Sequence, residues 1–284
     1  MKKLMSLLLC LALVFVASAP AFAADIEVEA QPISVTINEY QALKELAEES
    51  SVALAQAGYS SNEITAIQNY HETYVTHVSN LNTLSDAALS ANGYSASQIT
   101  TIRSFSGTEA ELTSLGATLT IYSTPTAFSY TTGGRTTGRL AYNWYWTGIP
   151  AIKMKDMVAA SWNNWVVTDN SSYVSYYSVN TGAYYTQEEA TFEYASNDVL
   201  TGAGHKFYMT MSDNYYYAKS GGGTFDVKSD GLYQKDFYYY IEYGHATLSY
   251  DIGFGVSIPG GVAASINFSV VTADAGSDSG SYVW

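Results

Sequence analysis

The stretch Leu140-Ala-Tyr-Asn-Trp-Tyr-Trp146 places a large apolar side chain at every second position. Successive side chains of a β strand point to opposite faces of the sheet, so this period of two predicts a strand with one buried face. Threonine, tyrosine, valine and glycine dominate from about residue 117 onward, a composition typical of strands joined by tight turns. We therefore predict an antiparallel β region over 117–284, built as a β-sandwich, with a β-barrel as the alternative.

Glycine-containing segments are predicted to be turns between these strands. They are Gly133-Gly134, Asn180-Thr-Gly182 and Gly221-Gly222-Gly223. The most regular alternation runs over 246–258, and Pro259-Gly260-Gly261 follows it before an apolar face returns over 262–270. This pattern predicts a long two-stranded hairpin over 246–270 that is apolar on one side.

The region 38–116 is predicted to be helical, which makes the fold class α+β. Four pairs of residues three apart have the composition of a capping box, in which a side chain accepts a hydrogen bond from an early helix amide. They are Asn38/Gln41, Ser60/Glu63, Ser95/Gln98 and Thr108/Glu111. The pattern Leu-x-x-x-Gly-Tyr-Ser-x-x-(Glu/Gln)-Ile-x-x-Ile occurs over 54–67 and again over 89–102. We interpret it as a repeated helix–turn–helix corner in a small bundle, and a solenoid is the alternative.

The first 23 residues have the features of a cleaved secretory signal peptide. Lys2 and Lys3 precede an apolar run, and Ala21-Phe22-Ala23 is the small-x-small pattern that predicts a cut before Ala24. The chain is therefore expected to be secreted and extracellular. Cys10 is the single cysteine and lies in the removed segment, which excludes disulfides and thiolate chemistry in the mature chain. Residues 24–37 are predicted to be either a loose leader or an added edge strand.

Charge excludes one class of partner. Losing Lys2 and Lys3 leaves 10 basic residues against 26 acidic ones, so the mature chain has a net charge of −16. Such a chain repels phosphate backbones, and we expect it to bind no nucleic acid.

The sequence contains no convincing catalytic set, and we expect no enzymatic activity, no cofactor and no metal. His71 and His77 are six residues apart, whereas a helical zinc motif needs histidines four apart on one face. Glu188, Glu189 and Glu193 could form a carboxylate pair. A secreted hydrolase is therefore kept as one alternative.

The leading hypothesis is a non-catalytic protein that binds an extracellular partner or associates with the cell surface. The candidate binding residues are four tryptophans, whose rings could stack on a cell-wall glycan or anchor another extracellular protein. They are Trp144, Trp146, Trp162 and Trp165. The competing interpretation places these tryptophans in the core.

The other alternative is membrane insertion through the predicted 246–270 hairpin. Each of its strands is long enough to cross a bilayer, and its second face is rich in glycine, serine and threonine. A half-buried sandwich hairpin would produce the same pattern.

The order of motifs resembles that of a group of exported proteins. Helical Gly-Tyr-Ser units lead into Trp144-Tyr-Trp146, then into Lys155-Asp-Met-Val-Ala-Ala-Ser-Trp162, and a glycine-rich alternating segment ends the chain. This order is similar to that of uncharacterised exported proteins of Gram-positive bacteria. The resemblance implies that both regions form one exported unit, and it implies no catalytic residue.

Overall fold

The computed structural model describes most of the chain between residues 33 and 283. The described ranges are 33–56, 61–130, 135–153, 155–162, 165–188, 190–194, 202–211, 215–231, 236–237, 239–245, 265–271 and 282–283. The predicted signal peptide and residues 246–264 of the predicted hairpin lie outside them.

Short helices occupy the region that the capping patterns predict to be helical. They are α1 (Glu39–Ala47), α2 (Ser51–Gln56), α3 (Ser61–Gln68), α4 (Tyr70–Leu81), α5 (Asp86–Ala91), α6 (Ala96–Arg103) and α7 (Glu109–Leu115). Ser95 and Thr108 form complete capping boxes, and the Asn38 side chain caps α1. The second Gly-Tyr-Ser unit turns the chain between α5 and α6, with Gly93 at φ +99°, a conformation that glycine adopts without strain.

The rest of the described chain is antiparallel sheet. Its strands are β1 (Ile33–Asn38), β2 (Thr118–Tyr130), β3 (Thr136–Thr147), β4 (Lys155–Trp162), β5 (Trp165–Ser178), β6 (Tyr184–Glu188), β7 (Thr191–Tyr194), β8 (Gly202–Tyr208), β9 (Tyr216–Ser229), β10 (Asp236–Phe237), β11 (Tyr239–Gly244), β12 (Ser265–Val271) and β13 (Tyr282–Val283). Sheet A has the order β1-β2-β3-β9-β5-β6, sheet B has the order β12-β11-β4-β8-β7, and β10 pairs with β13. The predicted α+β class is confirmed.

The inner faces of sheets A and B pack against each other as a sandwich. Trp144 of β3 stacks on Phe207 of β8, with ring centroids 4.8 Å apart and planes 5° apart. Trp162 of β4 meets Phe225 of β9 at 5.7 Å. Burial along β3 alternates over its whole length, as the period of two predicts. Aromatic contacts between the sheets therefore hold the two layers together.

The helices cover one end of this sandwich and share its core. Buried apolar residues of α1, α4, α5, α6 and α7 belong to the same hydrophobic cluster as those of both sheets. At the boundary, the Gly148 amide donates to the Asn92 carbonyl at 3.0 Å, and the Ile149 amide donates to the Tyr94 hydroxyl at 3.1 Å. The helical region is therefore packed on the sheets rather than tethered to them.

The three consecutive glycines lie within a strand, so the turn prediction for them is wrong. Gly221, Gly222 and Gly223 lie inside β9, between β3 and β5. A Cβ atom on Gly221 would approach Cζ2 of Trp144 to 2.6 Å, and one on Gly223 would approach the Tyr142 hydroxyl to 2.7 Å. The glycines are needed because rings of β3 and backbone carbonyl oxygens of the neighbouring strands occupy the space that side chains would fill; a Cβ atom on Gly223 would also clash with the Ser171 carbonyl oxygen.

This crowding predicts a stability effect. We expect Gly223→Ala to lower the free energy of unfolding by about 1–3 kcal/mol, because the added methyl group overpacks the sandwich core. Gly231→Ala is the matched control, since a Cβ atom there meets nothing within 4 Å. Urea unfolding of the two variants measures the difference, and equal stabilities would contradict the steric explanation.

The described end of the predicted hairpin pairs with a strand that precedes the hairpin. The alternating pattern predicts that 262–270 returns alongside 246–258, and that pairing lies outside the described residues; on its described edge β12 pairs with β11, with Gly244 opposite Ser265 and Ile241 opposite Phe268. The other edge of β11 is hydrogen-bonded to β4. Pairing with β11 thus continues sheet B and satisfies the backbone groups on one edge of β12.

Candidate functional site

The four candidate tryptophans are core residues. Trp144, Trp146 and Trp165 are at most 2% exposed, and Trp162 is 6% exposed. Trp144 and Trp146 point inward from β3, and the Trp162 indole nitrogen donates to the Trp165 carbonyl at 2.9 Å. None of these rings presents a face to a ligand at the surface, because each one fills the space between the sheets. Their position on the inner face of the sandwich gives them a packing role.

The outer face of sheet A carries exposed tyrosines instead. On β3, Tyr145 lies between the buried tryptophans and Asn143 directly precedes them, and both point to solvent. Asn143 is directly opposite Tyr122 of β2 and Gly222 of β9, and Gly222 is opposite Tyr173 of β5. Residues directly opposite each other in an antiparallel sheet share a face. We call the surface formed by Tyr122, Asn143, Tyr145, Gly222 and Tyr173 the tyrosine face.

Small hydroxyl residues surround the tyrosine face. In the two rows of cross-strand neighbours that contain it, and in the adjoining row of Ala141, the other described members are Ser34, Thr36, Thr120, Thr124, Ala141, Ser171, Ser175, Gln187, Ser220 and Thr224. None of these side chains is charged, although the chain has a net charge of −14. The following row contains Arg139, Asp226 and Asp169, and the side chains of Arg139 and Asp226 form an ion pair at 2.8 Å. These rows of the surface are therefore rich in hydroxyl groups and uncharged.

Hydrogen bonds between side chains orient the rings of the tyrosine face. Tyr122 and Tyr145 are stacked, with centroids 6.1 Å apart, planes 24° apart and hydroxyl oxygens separated by 3.4 Å. Hydrogen bonds from Tyr122 and Thr120 lower the pKa of Tyr145. The hydrogen bond to Tyr145 raises the pKa of Tyr122. The Tyr173 hydroxyl donates to Oδ1 of Asn143 at 3.0 Å.

The polar groups with the strongest mutual contacts lie in the interior. His245 follows β11, and its Nδ1 lies 3.0 Å from the Asp156 carboxylate, while its Nε2 lies 2.9 Å from Oε1 of Glu39. The Tyr243 hydroxyl donates to Asp156 at 2.6 Å, and the Tyr74 hydroxyl donates to Glu39. We call Glu39, Tyr74, Asp156, Tyr243 and His245 the junction cluster, because it joins α1 and α4 to β4 and β11.

Opposite charges dominate the junction cluster. Burial by itself would lower the pKa of His245, but Asp156 and Glu39 outweigh it and raise this pKa to about 10. Burial would raise the pKa of Glu39, yet the charge and hydrogen bond of His245, with bonds from Tyr74 and the Ala151 amide, lower it. The imidazole is therefore a cation between carboxylates at neutral pH.

The junction cluster is a structural site. Its two carboxylates and its imidazole are each at most 2% exposed, so no substrate can reach them. Both imidazole nitrogens already face carboxylate oxygens. Among the residues that the structure describes, no group of three or more His, Cys, Asp or Glu side chains is arranged to hold a metal ion.

A second buried histidine, His205, is used for packing. His205 of β8 lies between the sheets, with its Nδ1 2.6 Å from the Tyr142 hydroxyl and its Nε2 3.1 Å from Oδ1 of Asn170. Burial lowers the pKa of His205 to about 4. The neutral ring then accepts from Tyr142 and donates to Asn170, which satisfies both of its nitrogen atoms.

The carboxylates of the hydrolase alternative are only partly described. Glu188 ends β6 in sheet A, Glu193 lies in β7 of sheet B, and Glu189 lies outside the described residues. The backbone thus places the two described residues in different sheets. In the part of the chain that the structure covers, none of the helices is long and apolar enough to span a bilayer.

Comparisons with known proteins place the chain in no family. No family model and no curated protein matches it. Solved structures with partial likeness include the δ-toxin of Clostridium perfringens, at 9% identity and a TM-score of 0.24, covering 48% of this chain and 74% of the toxin. A chain described as a pore forming protein has 11% identity and a TM-score of 0.27, covering 45% of this chain and 74% of its own. The KRT10-binding region domain of the pneumococcal serine rich repeat protein PsrP has 10% identity and a TM-score of 0.20, covering 49% of this chain and 86% of that domain's chain. These scores are too low to transfer a function.

One part of the tyrosine face can be predicted from the sequence, and the rest cannot. Asn143 and Tyr145 occupy the second face in the alternation that starts at Leu140, so their outward direction follows from the period of two. Tyr122 follows the buried Ile121 and is readable in the same way. Tyr173 and Gly222 give no comparable signal, because their place beside Asn143 depends on the strand order β3-β9-β5.

Proposed function

We propose that this chain is an exported, non-catalytic binding protein that holds an uncharged extracellular ligand on its tyrosine face. The observation that carries this proposal is the exposed set of tyrosine rings on the outer face of sheet A. Tyr145 is 40% exposed and Tyr173 is 36% exposed, while the tryptophans of the same strands are buried. Tyrosine combines a large apolar ring with a hydroxyl group, and such residues are enriched where proteins bind their partners.

The absence of charge on this surface supports an uncharged ligand. An acidic protein attracts or repels charged partners through its surface charges, and a surface that binds such partners would be expected to present unpaired charges. The tyrosine face presents none, and the nearest charged row holds the Arg139–Asp226 ion pair together with Asp169. The signal-peptide pattern of residues 1–23 supports an extracellular location.

Retention on extracellular material tests the proposal. We expect the mature chain, starting at Ala24, to be retained on insoluble cell-wall polysaccharide or on immobilised extracellular protein. Thr224→Lys places a charge in the uncharged surface and should reduce retention at least about tenfold, since burying an unpaired ammonium costs more than about 1.4 kcal/mol. Ser90→Lys adds the same charge on an exposed position of α5 and should leave retention unchanged.

Two outcomes would contradict this function. The first is no retention on either material, and the second is equal retention of the two lysine variants. A parallel measurement of dye release from liposomes addresses the membrane-inserting alternative. Dye release by the mature chain without retention on either material would support insertion through the 246–270 segment instead.

A further inference from the structure

The ring of Tyr173 lies across the neighbouring strand, where Gly222 leaves space for it because it has no side chain. Tyr173 is directly opposite Gly222. A Cβ atom on Gly222 would lie 3.0 Å from Cε1 of Tyr173, which shows that the ring passes over this residue. The hydroxyl of Tyr173 reaches Asn143 on the strand beyond, at 3.0 Å. The ring is therefore fixed at both ends against the sheet, with part of its surface exposed to solvent.

Tyr145 supplies a second fixed ring on the same face. Its partner Tyr122 is stacked beside it at 6.1 Å, and the two hydroxyl oxygens lie 3.4 Å apart. Asn143 and Tyr145 are two positions apart on β3, and the Tyr173 ring passes over the adjacent strand. A strand spacing of about 4.8 Å and a rise of about 3.4 Å per residue place the backbone of Tyr145 roughly 8 Å from that of Gly222, which the Tyr173 ring covers. This separation is of the order of one to two sugar units.

The chemistry of this surface matches that of a sugar chain. A pyranose ring presents a face of C–H groups that packs on an aromatic ring, and its hydroxyl groups point outward around its edge. On the tyrosine face, each exposed ring has hydroxyl side chains near it, namely those of Ser171, Ser220 and Thr224. Hot spots of protein–protein interfaces lie in well-packed, desolvated pockets, whereas the exposed rings of Tyr173 and Tyr145 lie among small hydroxyl side chains on the outer face of a sheet.

We propose that the tyrosine face binds an uncharged glycan chain, with sugar rings of that chain stacked on Tyr173 and Tyr145. This inference rests on the proposed binding function and specifies the ligand class of the same site. Ordering the two rings in advance means that little side-chain entropy is lost on binding. Two stacking positions on one surface also predict that affinity rises with the length of the glycan until both positions are filled.

Soluble oligosaccharides test the inference directly. The probes are linear neutral oligomers of glucose, N-acetylglucosamine, xylose and mannose, two to six units long, titrated calorimetrically into the mature chain. We expect at least one series to bind and to gain affinity from the dimer to the tetramer. Tyr173→Ala and Tyr145→Ala should each weaken binding about tenfold, because each removes a stacking ring.

Two further variants separate binding from folding. Tyr173→Phe keeps the ring but loses the hydroxyl bond to Asn143, so we expect a loss of only about two- to fivefold. Tyr208→Ala removes a tyrosine of sheet B that is 61% exposed and should leave binding unchanged. Thermal unfolding of all variants shows whether the fold is intact. A binding loss that occurs equally in Tyr208→Ala would overturn the assignment.

The remaining outcomes distinguish the glycan inference from the binding function. If no oligosaccharide binds, but the chain is retained on extracellular material in a Thr224-dependent way, the glycan inference fails and the binding function stands. The glycan inference also fails, and the binding function again stands, if protease treatment of the retaining material abolishes retention, because the ligand is then a protein. If neither oligosaccharides nor extracellular material are bound, both proposals fail.

Discussion

Replacing His245 with glutamine is expected to lower the free energy of unfolding by about 3–5 kcal/mol, the range for removing one partner of a buried ion pair. The imidazole cation lies between Asp156 and Glu39, with both of its nitrogen atoms within 3.0 Å of their carboxylates. All three side chains are buried. A neutral amide cannot compensate the two carboxylates, which are then left without a cation in a region that water does not reach.

The same change should loosen the contact between the helices and the sheets. Glu39 begins α1, and its carboxylate also accepts hydrogen bonds from the Ala151 and Ile152 amides in the β3–β4 connection, at 2.9 and 3.0 Å. The bond to His245 adds the end of β11 to this set. We therefore expect His245→Gln to increase amide hydrogen exchange at the start of α1 and in the β3–β4 connection, beyond the change in global stability.

A surface histidine provides the control for this prediction. The side chain of His71 on α4 is 41% exposed, and His71→Gln is expected to change stability by less than about 0.5 kcal/mol. A double variant tests the electrostatic reason, because Glu39→Gln should cost less in the His245→Gln background than in the native chain. Similar stabilities of His245→Gln and His71→Gln would show that the junction cluster contributes little.

The element types were largely predictable because their signals are local. Ser95 and Thr108 cap their helices through residues three positions away, and the faces of β3 follow from alternation alone. The pairing of strands was not predictable in this way. Gly223 reads as a turn residue when only its neighbours in the sequence are considered, and it becomes a strand residue because Tyr142 on another strand needs the space.

The candidate site was predictable only in part, for the same reason. A tryptophan in an alternating strand can point either to the core or to a ligand, and the outcome for Trp144 depends on the second sheet that covers it. The junction cluster joins Glu39 to His245, which are 206 positions apart. The residues next to an isolated histidine in the sequence cannot predict a contact with a carboxylate that lies so far away along the chain.

Stability is expected to be greatest near pH 6.5 and to fall on both sides of it. The pKa of His245 is raised to about 10, so its contribution is complete below pH 6.5 and is lost as the pH rises toward 10. Between pH 6.5 and 8 the unfolded chain loses this proton while the folded chain keeps it. At about 1.4 kcal/mol per pH unit, this histidine alone accounts for a loss of about 2 kcal/mol by pH 8.

Two other histidines determine the acidic side. Burial lowers the pKa values of His77 and His205 to about 4. Between pH 6.5 and 4.5 the unfolded chain therefore binds protons that the folded chain does not, and stability falls with pH by up to about 2–3 kcal/mol for each histidine. The pKa of Glu39 is lowered, so its contribution is present above its usual value near 4.5 and is lost as the pH falls further.

The two sides of the pH profile can be assigned by variants, because they depend on different residues. Urea unfolding from pH 4.5 to 8 should show a fall above pH 6.5 that disappears in His245→Gln and persists in His205→Gln. The fall below pH 6.5 should become shallower in His205→Gln and in His77→Gln, and should persist in His245→Gln. A native profile that is flat between pH 6.5 and 8 would mean that His245 is not held as a cation between Glu39 and Asp156. The helices would then be fixed to the sheets by their apolar contacts rather than by the charges of the junction cluster.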